Sequence, residues 1–421
     1  MAFVLTGVGF VVGVRTHLGE GGGLMNARKS VLRTAVVTGA VVAFAGLPAG
    51  MALAGTSVSV PCSGPGGGAA GLAAAVKAAN AAGGGAISLA PRCTYTLTAA
   101  DNNSFGGNGL PVITTPITIA GAHATIARSS AQNTPRFRIL EVDGPGGSLA
   151  ASALTIIGGD VGGPGGGVFN NAGTLRLNAS VVSGNASQGA MMSAGGGIAS
   201  GTIGTGPVGT LVLNATAVTG NTTTGGGGGI LNHAGTATLN ASQVSGNTAG
   251  NGGGIASGPG DPESPITGSS LTLNGSRVDH NTATAGGGAG AAGGIANGGL
   301  AVIRGSSVDH NSAPGGIGGG IGNHGTMTIT GSQITGNTAP SDSSGTPGIG
   351  GGIANANFGI PPTGGSGILT IKGSKITGNS ASGAGGGIIN QDGTVTLTGT
   401  LVAGNAPDNC EPPGTITGCT G

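Results

Sequence analysis

The chain has 421 residues, 98 of them Gly and 21 Pro, with 6% charged residues and a formal net charge of +1, so no basic surface is broad enough to hold nucleic acid by counterion release and no nucleic-acid partner is expected. With no Trp, one Tyr and seven Phe, it lacks the aromatic platforms of long polymer clefts, which counts against a processive polysaccharide enzyme. Gly and Pro at this level mark a low-complexity chain when no period is present; here a period is present, and the disordered reading fails on it.

Residues 25–54 carry Arg28, Lys29 and Arg33, then an apolar run, then Ala52-Leu53-Ala54, the layout of a secretory signal with an A-x-A cleavage site. Met25 is expected to be the true start and Ala54 the last residue removed, which makes residues 1–54 the signal region. The rival is an uncleaved membrane anchor, but the Gly46-Leu47-Pro48 break is more usual before a cleavage site than inside a span. The remainder holds ten basic and twelve acidic residues, and a secreted, nearly neutral protein without a transmembrane span is expected. Cys62 and Cys93 lie near its start, Cys410 and Cys419 at its end. An even count in a secreted chain reads as disulfides, neighbours paired being the simplest of three connectivities. Closing 62 to 93 adds about 3–4 kcal/mol in the loop-entropy model, and neither pair has the C-x-x-C spacing of a zinc site.

Residues 55–85 read as an N-terminal cap. Within it GLAAAVKAANAA (71–82) has helix-forming residues, an apolar face through Leu72, Val76 and Ala79, and a stop at Gly83-Gly84-Gly85. Over 86–172 the segments AISLA (86–90), TYTLT (94–98), PVITTPITIAG (111–121), ATIAR (124–128), RILEV (138–142) and ALTIIGG (153–159) alternate apolar and polar residues between Gly, Pro and Asn, as irregular first coils do. From 173 to 409 the pattern locks. Eight thirteen-residue segments, 173–185, 209–221, 235–247, 269–281, 299–311, 325–337, 367–379 and 393–405, align without a gap. Each has a five-residue strand, a corner of Ala or Gly then Ser or Thr, a short strand centred on Val or Ile, and a closing Asn; without insertions, Asn to Asn is 26 residues. Such a repeat, with three short strands and three corners, is one coil of an all-β, single-stranded parallel β-helix. Residues 410–421 remain as a C-terminal disulfide loop.

A lone coil buries only inward residues such as Met327, Ile329 and Ile334, so stacking at about 4.8 Å per coil must supply the core. Eleven or so coils then span roughly 50 Å. The glycine triplets before Ile198, Ile230, Ile255, Ile321, Ile353 and Ile388 suit corners needing positive φ or close backbone approach. Asn185, Asn221, Asn247, Asn281, Asn311, Asn337, Asn379 and Asn405 are expected to stack as an amide ladder.

On these residues the chain from about 86 to 409 resembles the right-handed parallel β-helices of the pectin-lyase-like superfamily. Its repeats are similar to those of polymorphic outer-membrane and autotransporter-like surface proteins, which carry GGAI and FxxN motifs: GGGI matches the first, and VSGN, VTGN and ITGN match the second with Val or Ile in place of Phe. The resemblance implies a rigid extracellular surface protein. Those proteins continue into a membrane barrel, whereas this sequence has no stretch for a dozen ten-residue spanning strands, so free secretion or loose wall association is expected.

Insertions fall before GGGI (186–194, 282–292, 338–349) or after it (201–208, 258–268, 356–366), which predicts a trough walled by loops, the usual binding face of a solenoid. Its floor reads as Ala199, Leu231, Ala256, Ala296, Gly322, Ala354 and Ile389, with no acid, base or metal ligand. The polar cluster with alignable geometry is RVDHN (277–281) and SVDHN (307–311). Asp279 and Asp309 take the same outward position on consecutive coils, about 5 Å apart, and His280 and His310 replace the glycine of the other six copies. That separation matches the carboxylates of a retaining glycosidase, stacked like charges raise one pKa, and Asp with His suits a divalent metal. Polygalacturonases of this fold also keep Asp and His on adjacent coils, but their Asp-Asp, Gly-His-Gly and Arg-x-Lys signatures are missing, as is a pectate-lyase calcium cluster. Strict strand alternation turns both histidines away from the Asp face unless the chain bends there. Solvated repeat variation is the leading reading of the four residues, with no cofactor expected and a divalent metal as the alternative.

His233 and His324 each follow the Asn that closes a GGGI strand, three coils apart, and read as exposed turn residues. Asn178, Asn214, Asn240 and Asn274 stand in N-x-[ST] sequons that arise from the repeat itself. Thr236-x-Thr238, Thr326-x-Thr328-x-Thr330 and Thr394-x-Thr396-x-Thr398 form rows like those of ice-binding solenoids, interrupted by Arg176, Val212, Val302, Ile368 and Lys372; Thr is also simply a good strand residue. The sequence thus predicts a secreted, non-catalytic, adhesin-like surface or matrix protein whose loops meet an extracellular glycan or surface protein. The alternatives are a polysaccharide lyase or glycoside hydrolase using Asp279 and Asp309, and an ice-binding threonine face.

Overall fold

The computed structural model describes residues 56–189, 193–201, 208–258, 268–284, 291–356 and 367–419, all within one compact unit, Ala52–Gly421. The signal-like segment with Met25 and Ala54 lies outside them, as do most of the three loops after GGGI and the middle of two loops before it. The fold read from the sequence is the fold found: an all-β, parallel, right-handed-type solenoid, with about ten turns rather than eleven and one short helix near its start.

The gapless repeat explains the regularity. Thr326–Thr330 pairs residue for residue with Leu300–Arg304 on one side and Ile368–Lys372 on the other. Met327 therefore stacks between Ala301 and Leu369, and Ile329 between Ile303 and Ile371, all of them buried. Each such Ile or Leu contributes roughly 1.5–3 kcal/mol by leaving water. A slip of one residue turns this whole set outward and the threonines inward, which is why length variation is confined to corners. Among the described residues the five-residue and three-residue strands merge into a 21-stranded sheet, and the GGGI strands, from Leu140–Asp143 to Cys410–Glu411, form a ten-stranded one. The merger comes from the early coils: PVITTPITIAG and ATIAR are not two strands but contribute to one bent strand, Pro116–Arg128, with Ala122 and His123 at positive φ.

The helix expected over 71–82 spans Gly68–Ala81 and buries Leu72, Val76 and Ala79 as foreseen, with Gly71 and Ala75 beside them. It packs against a strand that the alternation pattern missed, Thr56–Val60, which opens the array by pairing with Gly85–Leu89. Tyr95 ties the two together, its buried hydroxyl donating to Val60 O at 2.7 Å and accepting from Ala90 N at 3.0 Å. The cysteines pair as neighbours, Cys62 with Cys93 and Cys410 with Cys419.

The amide ladder forms through all eight asparagines. Asn281 is typical: its main-chain N and its Nδ2 donate to Asn311 Oδ1 at 3.0 and 2.9 Å, Nδ2 also donates to Val244 O at 3.0 Å, and Oδ1 accepts from Asn247 N and Nδ2, both at 2.9 Å. Each side chain thus satisfies buried main-chain groups of neighbouring coils at a corner where the sheet ladder is interrupted. A second ladder was not foreseen. On the GGGI strands the residue two after Ile points inward, and Asn297, Asn323, Asn355 and Asn390 bond in series at 2.8, 2.7 and 2.8 Å. The corner hydroxyls form a third series, with Ser276 N on Ser306 Oγ at 3.0 Å and Ser306 N on Ser332 Oγ at 3.1 Å. The glycine triplets satisfy both demands expected of them: Gly227 has φ +72°, and at Gly229 a Cβ would lie 2.8 Å from Gly254 O and 2.9 Å from the ladder amide of Asn247.

Candidate functional site

Strands Gln243–Ser245, Arg277–Asp279 and Ser307–Asp309 lie side by side in register, so that Ser245, Asp279 and Asp309 form one outward row, followed by Thr335. Val278 and Val308, between the outward positions, enter the core. The next residue decides the chemistry. His280 and His310 sit at φ +55° and +54°, where the other copies carry Gly184, Gly220, Gly246, Gly336, Gly378 and Gly404 in the same left-handed conformation. A non-glycine residue there costs about 1 kcal/mol or more. The bend carries each ring back to the aspartate before it, so alternation does not hold through this corner: His280 Nδ1 meets Asp279 Oδ2 at 2.9 Å, and His310 Nδ1 meets Asp309 Oδ2 at 3.3 Å. The two rings stack, centroids 5.2 Å apart and planes within 7°.

The four residues are not uniformly solvated. Asp279 and Asp309 are 4% and 7% exposed, whereas the histidine side chains are 61% and 58% exposed. Asp279 accepts from Gln243 Nε2 at 3.0 Å and Ser245 Oγ at 3.1 Å, and Asp309 from Ser307 Oγ at 3.1 Å. Arg277 spans the pair: its Nη2 and Nε reach Asp309 at 2.6 and 3.2 Å, and its Nε lies 3.5 Å from Asp279. The expected rise of a carboxylate pKa is corrected by this at Asp279. Burial pushes the Asp279 carboxyl up, but hydrogen bonds from Gln243 and His280, the Arg277 charge and the Ser245 hydroxyl outweigh it and hold the group below its ordinary value. Asp279 is therefore an anion at neutral pH, with its lone pairs committed to protein donors. Among the described residues, no three or more His, Cys, Asp or Glu side chains gather as a metal cluster.

The trough is more closed than the insertions suggested. Ala199, Ala296, Ala354 and Ile389 of its floor are buried, because the chain entering each GGGI folds back over the strand: the Cβ position of Gly350 lies against Ala354 and Ile389, and that of Gly252 against Ala256. Its far wall, formed by the loops after GGGI, falls mostly outside the described residues. His233 ends one GGGI strand and His324 follows another three coils on, and both are half-buried rather than exposed, burial pushing both imidazoles down. On the threonine face, Leu300 joins Ile368 as an exposed apolar break in the rows.

The sequon asparagines bond to one another in series, Asn214 to Asn178 and Asn240 to Asn214 at 2.8 Å and Asn274 to Asn240 at 2.9 Å. Their partner hydroxyls at Ser180, Thr216, Ser242 and Ser276 are buried in the corner. Expressed in a glycosylating secretory host, the folded protein is expected to carry no glycan at these four sites, which peptide mapping by mass spectrometry before and after glycosidase treatment checks.

One polar centre was missed. Arg138 and Glu141 are both fully buried and paired at 3.2 Å. Arg138 also donates to Asn108 Oδ1 (2.6 Å) and to the carbonyls of Phe105 (2.7 Å), Ser104 (3.0 Å) and Pro164 (3.0 Å). Glu141 accepts from Asn108 Nδ2 at 2.7 Å and Ser104 Oγ at 3.2 Å. Burial pulls the guanidinium down to about 10 against the opposing pull of Glu141, and burial pushes the carboxyl up against Arg138, Asn108 and Ser104. The pair fastens the hairpin of Asn102–Asn103 and Gly107–Asn108 onto the first GGGI strands and sets half-exposed Phe105 edge-on to Phe169, centroids 6.0 Å apart. Being sealed from water, it is a clamp and not a reaction centre. Its sequence signal was faint: a charged residue at each end of the apolar run RILE.

No model of a known protein family matches the chain and no curated protein does. Among solved structures, the crystal structure of pectate lyase Pel9A is similar at a TM-score of 0.39 and 14% identity, over 83% of this chain and 80% of that one. At that level the likeness adds nothing to the solenoid described above.

Proposed function

We propose that the chain is an extracellular, non-catalytic β-helix, adhesin-like, that binds a glycan or a surface protein through the loops beside its GGGI strands. The observation that carries this reading is the Arg277 fork. A retaining glycosidase needs one carboxyl free to attack and one holding a proton, whereas Asp279 and Asp309 share a guanidinium and face protein donors. Two disulfides support the location, since such bonds persist outside reducing compartments, and no helix among the described residues is long and apolar enough to cross a membrane.

One observation favours a second reading, a β-helix hydrolase or lyase. A buried carboxylate that holds an exposed imidazole by Nδ1 is the arrangement that orients a general base. The two readings separate in a reducing-sugar and unsaturated-uronide assay over plant and microbial polysaccharides, run beside pull-down on the same insoluble polymers. The expected result is retention without turnover. Turnover that disappears in Asp279→Ala and Asp309→Ala would replace the first reading by the second.

A further inference from the structure

We infer that His280 and His310 form a two-imidazole site for a zinc-class divalent transition metal, with Asp279 and Asp309 acting behind them as orienting groups rather than as ligands. The aspartates are the wrong ligands, because their oxygens already face Gln243, Ser245, Ser307, Arg277 and the histidines themselves. The imidazoles are the right ones. Each Nδ1 lies against a buried carboxylate, which fixes the tautomer with the proton on Nδ1 and leaves the Nε2 lone pair for a metal. A carboxylate behind a histidine also raises the basicity of the metal-binding nitrogen.

The placement of the pair supports the same assignment. Both side chains are more than half exposed, their rings are parallel and one coil apart, and their backbones share one conformation, so the two Nε2 atoms are presented in equivalent orientations. Two nitrogens at about 2.0–2.1 Å from a tetrahedral metal stand about 3.4 Å apart, which the exposed rings reach by tilting their edges together from a 5.2 Å centroid separation. Gly336 continues the row, and the His310 ring lies over it, its Nε2 3.1 Å from where a Cβ would stand. The charges around the site, Asp279 and Asp309 against Arg277, sum to one negative, which favours a cation. The remaining metal positions go to water. Both histidines take a left-handed backbone at a position glycine fills in the other six copies.

The test is calorimetric titration of zinc chloride into the full chain, free of any histidine tag, at pH 7.5. Saturable zinc binding is expected. In His280→Gly/His310→Gly, which restores the residue of the other copies, affinity should fall at least tenfold with the circular dichroism spectrum unchanged. Asp279→Asn, which keeps His280 but removes its anionic partner, should lose roughly tenfold. Histidine ring NMR on the parent chain supplies a readout that needs no variant: zinc should shift two imidazoles and leave those of His17, His123, His233 and His324 in place. No saturable heat in the parent, undiminished binding in the double glycine variant, or zinc shifts at the other histidines instead would overturn the assignment.

Discussion

Asn281→Leu is expected to lower the stability of the regular coils by about 3–6 kcal/mol. The substitution keeps the size of the side chain and removes its polar atoms. Asn247 N, Asn247 Nδ2 and Val244 O each lose a partner in a fully buried corner, and a buried group left without one costs about 1–3 kcal/mol. The contrast is Asn405→Leu at the half-buried end of the ladder, where water replaces much of what is lost and about 1 kcal/mol is expected. Urea unfolding followed by far-UV circular dichroism measures both. Because a coil touches only its neighbours, the central defect should also split one transition into two. Equal effects at the two positions would show that the ladder is not what couples the coils.

Arg138→Met is expected to cost about 3–5 kcal/mol, confined to the first coils. It leaves Glu141 buried without its counter-charge, which is the costly way to break an interior ion pair, and it also strips a donor from Ser104, Phe105 and Pro164. Glu141→Gln should cost less, because the guanidinium keeps those three carbonyls and Asn108. Tyr95 gives the measurement, being the one Tyr in a chain with no Trp and buried in the early coils beside Val60. Its fluorescence should report the loss at a lower urea concentration than the circular dichroism of the whole array. Coincident transitions would mean that the clamp stabilises the entire solenoid.

What the sequence disclosed follows from periodicity. The register, the helix face through Leu72, Val76 and Ala79, and the Asn185-to-Asn405 ladder all repeat or alternate, and all were found. What it withheld depends on features without a period. The inward row from Asn297 to Asn390 hid because GGGI is followed by Ser in some coils and Asn in others, although both satisfy the same corner. Arg138 and Glu141 meet through a hairpin that occurs once. The turn of His280 toward Asp279 was legible in principle, since six glycines at that place already mark a positive φ, and alternation cannot be carried through such a corner.

The amide that ends the ladder belongs to Asn409, four residues past Asn405, whose Oδ1 takes Asn405 N at 3.2 Å and Nδ2 at 3.0 Å. Every rung upstream offers the same two donors, so the closing residue recognises the ladder and not a particular rung. The number of coils is consequently not written anywhere in the fold. Excising the 26 residues after Asn221 or duplicating them leaves both ends, the clamp and the closing amide intact. An array longer or shorter by whole coils keeps the same two ends, and only the spacing of its loops along the solenoid changes.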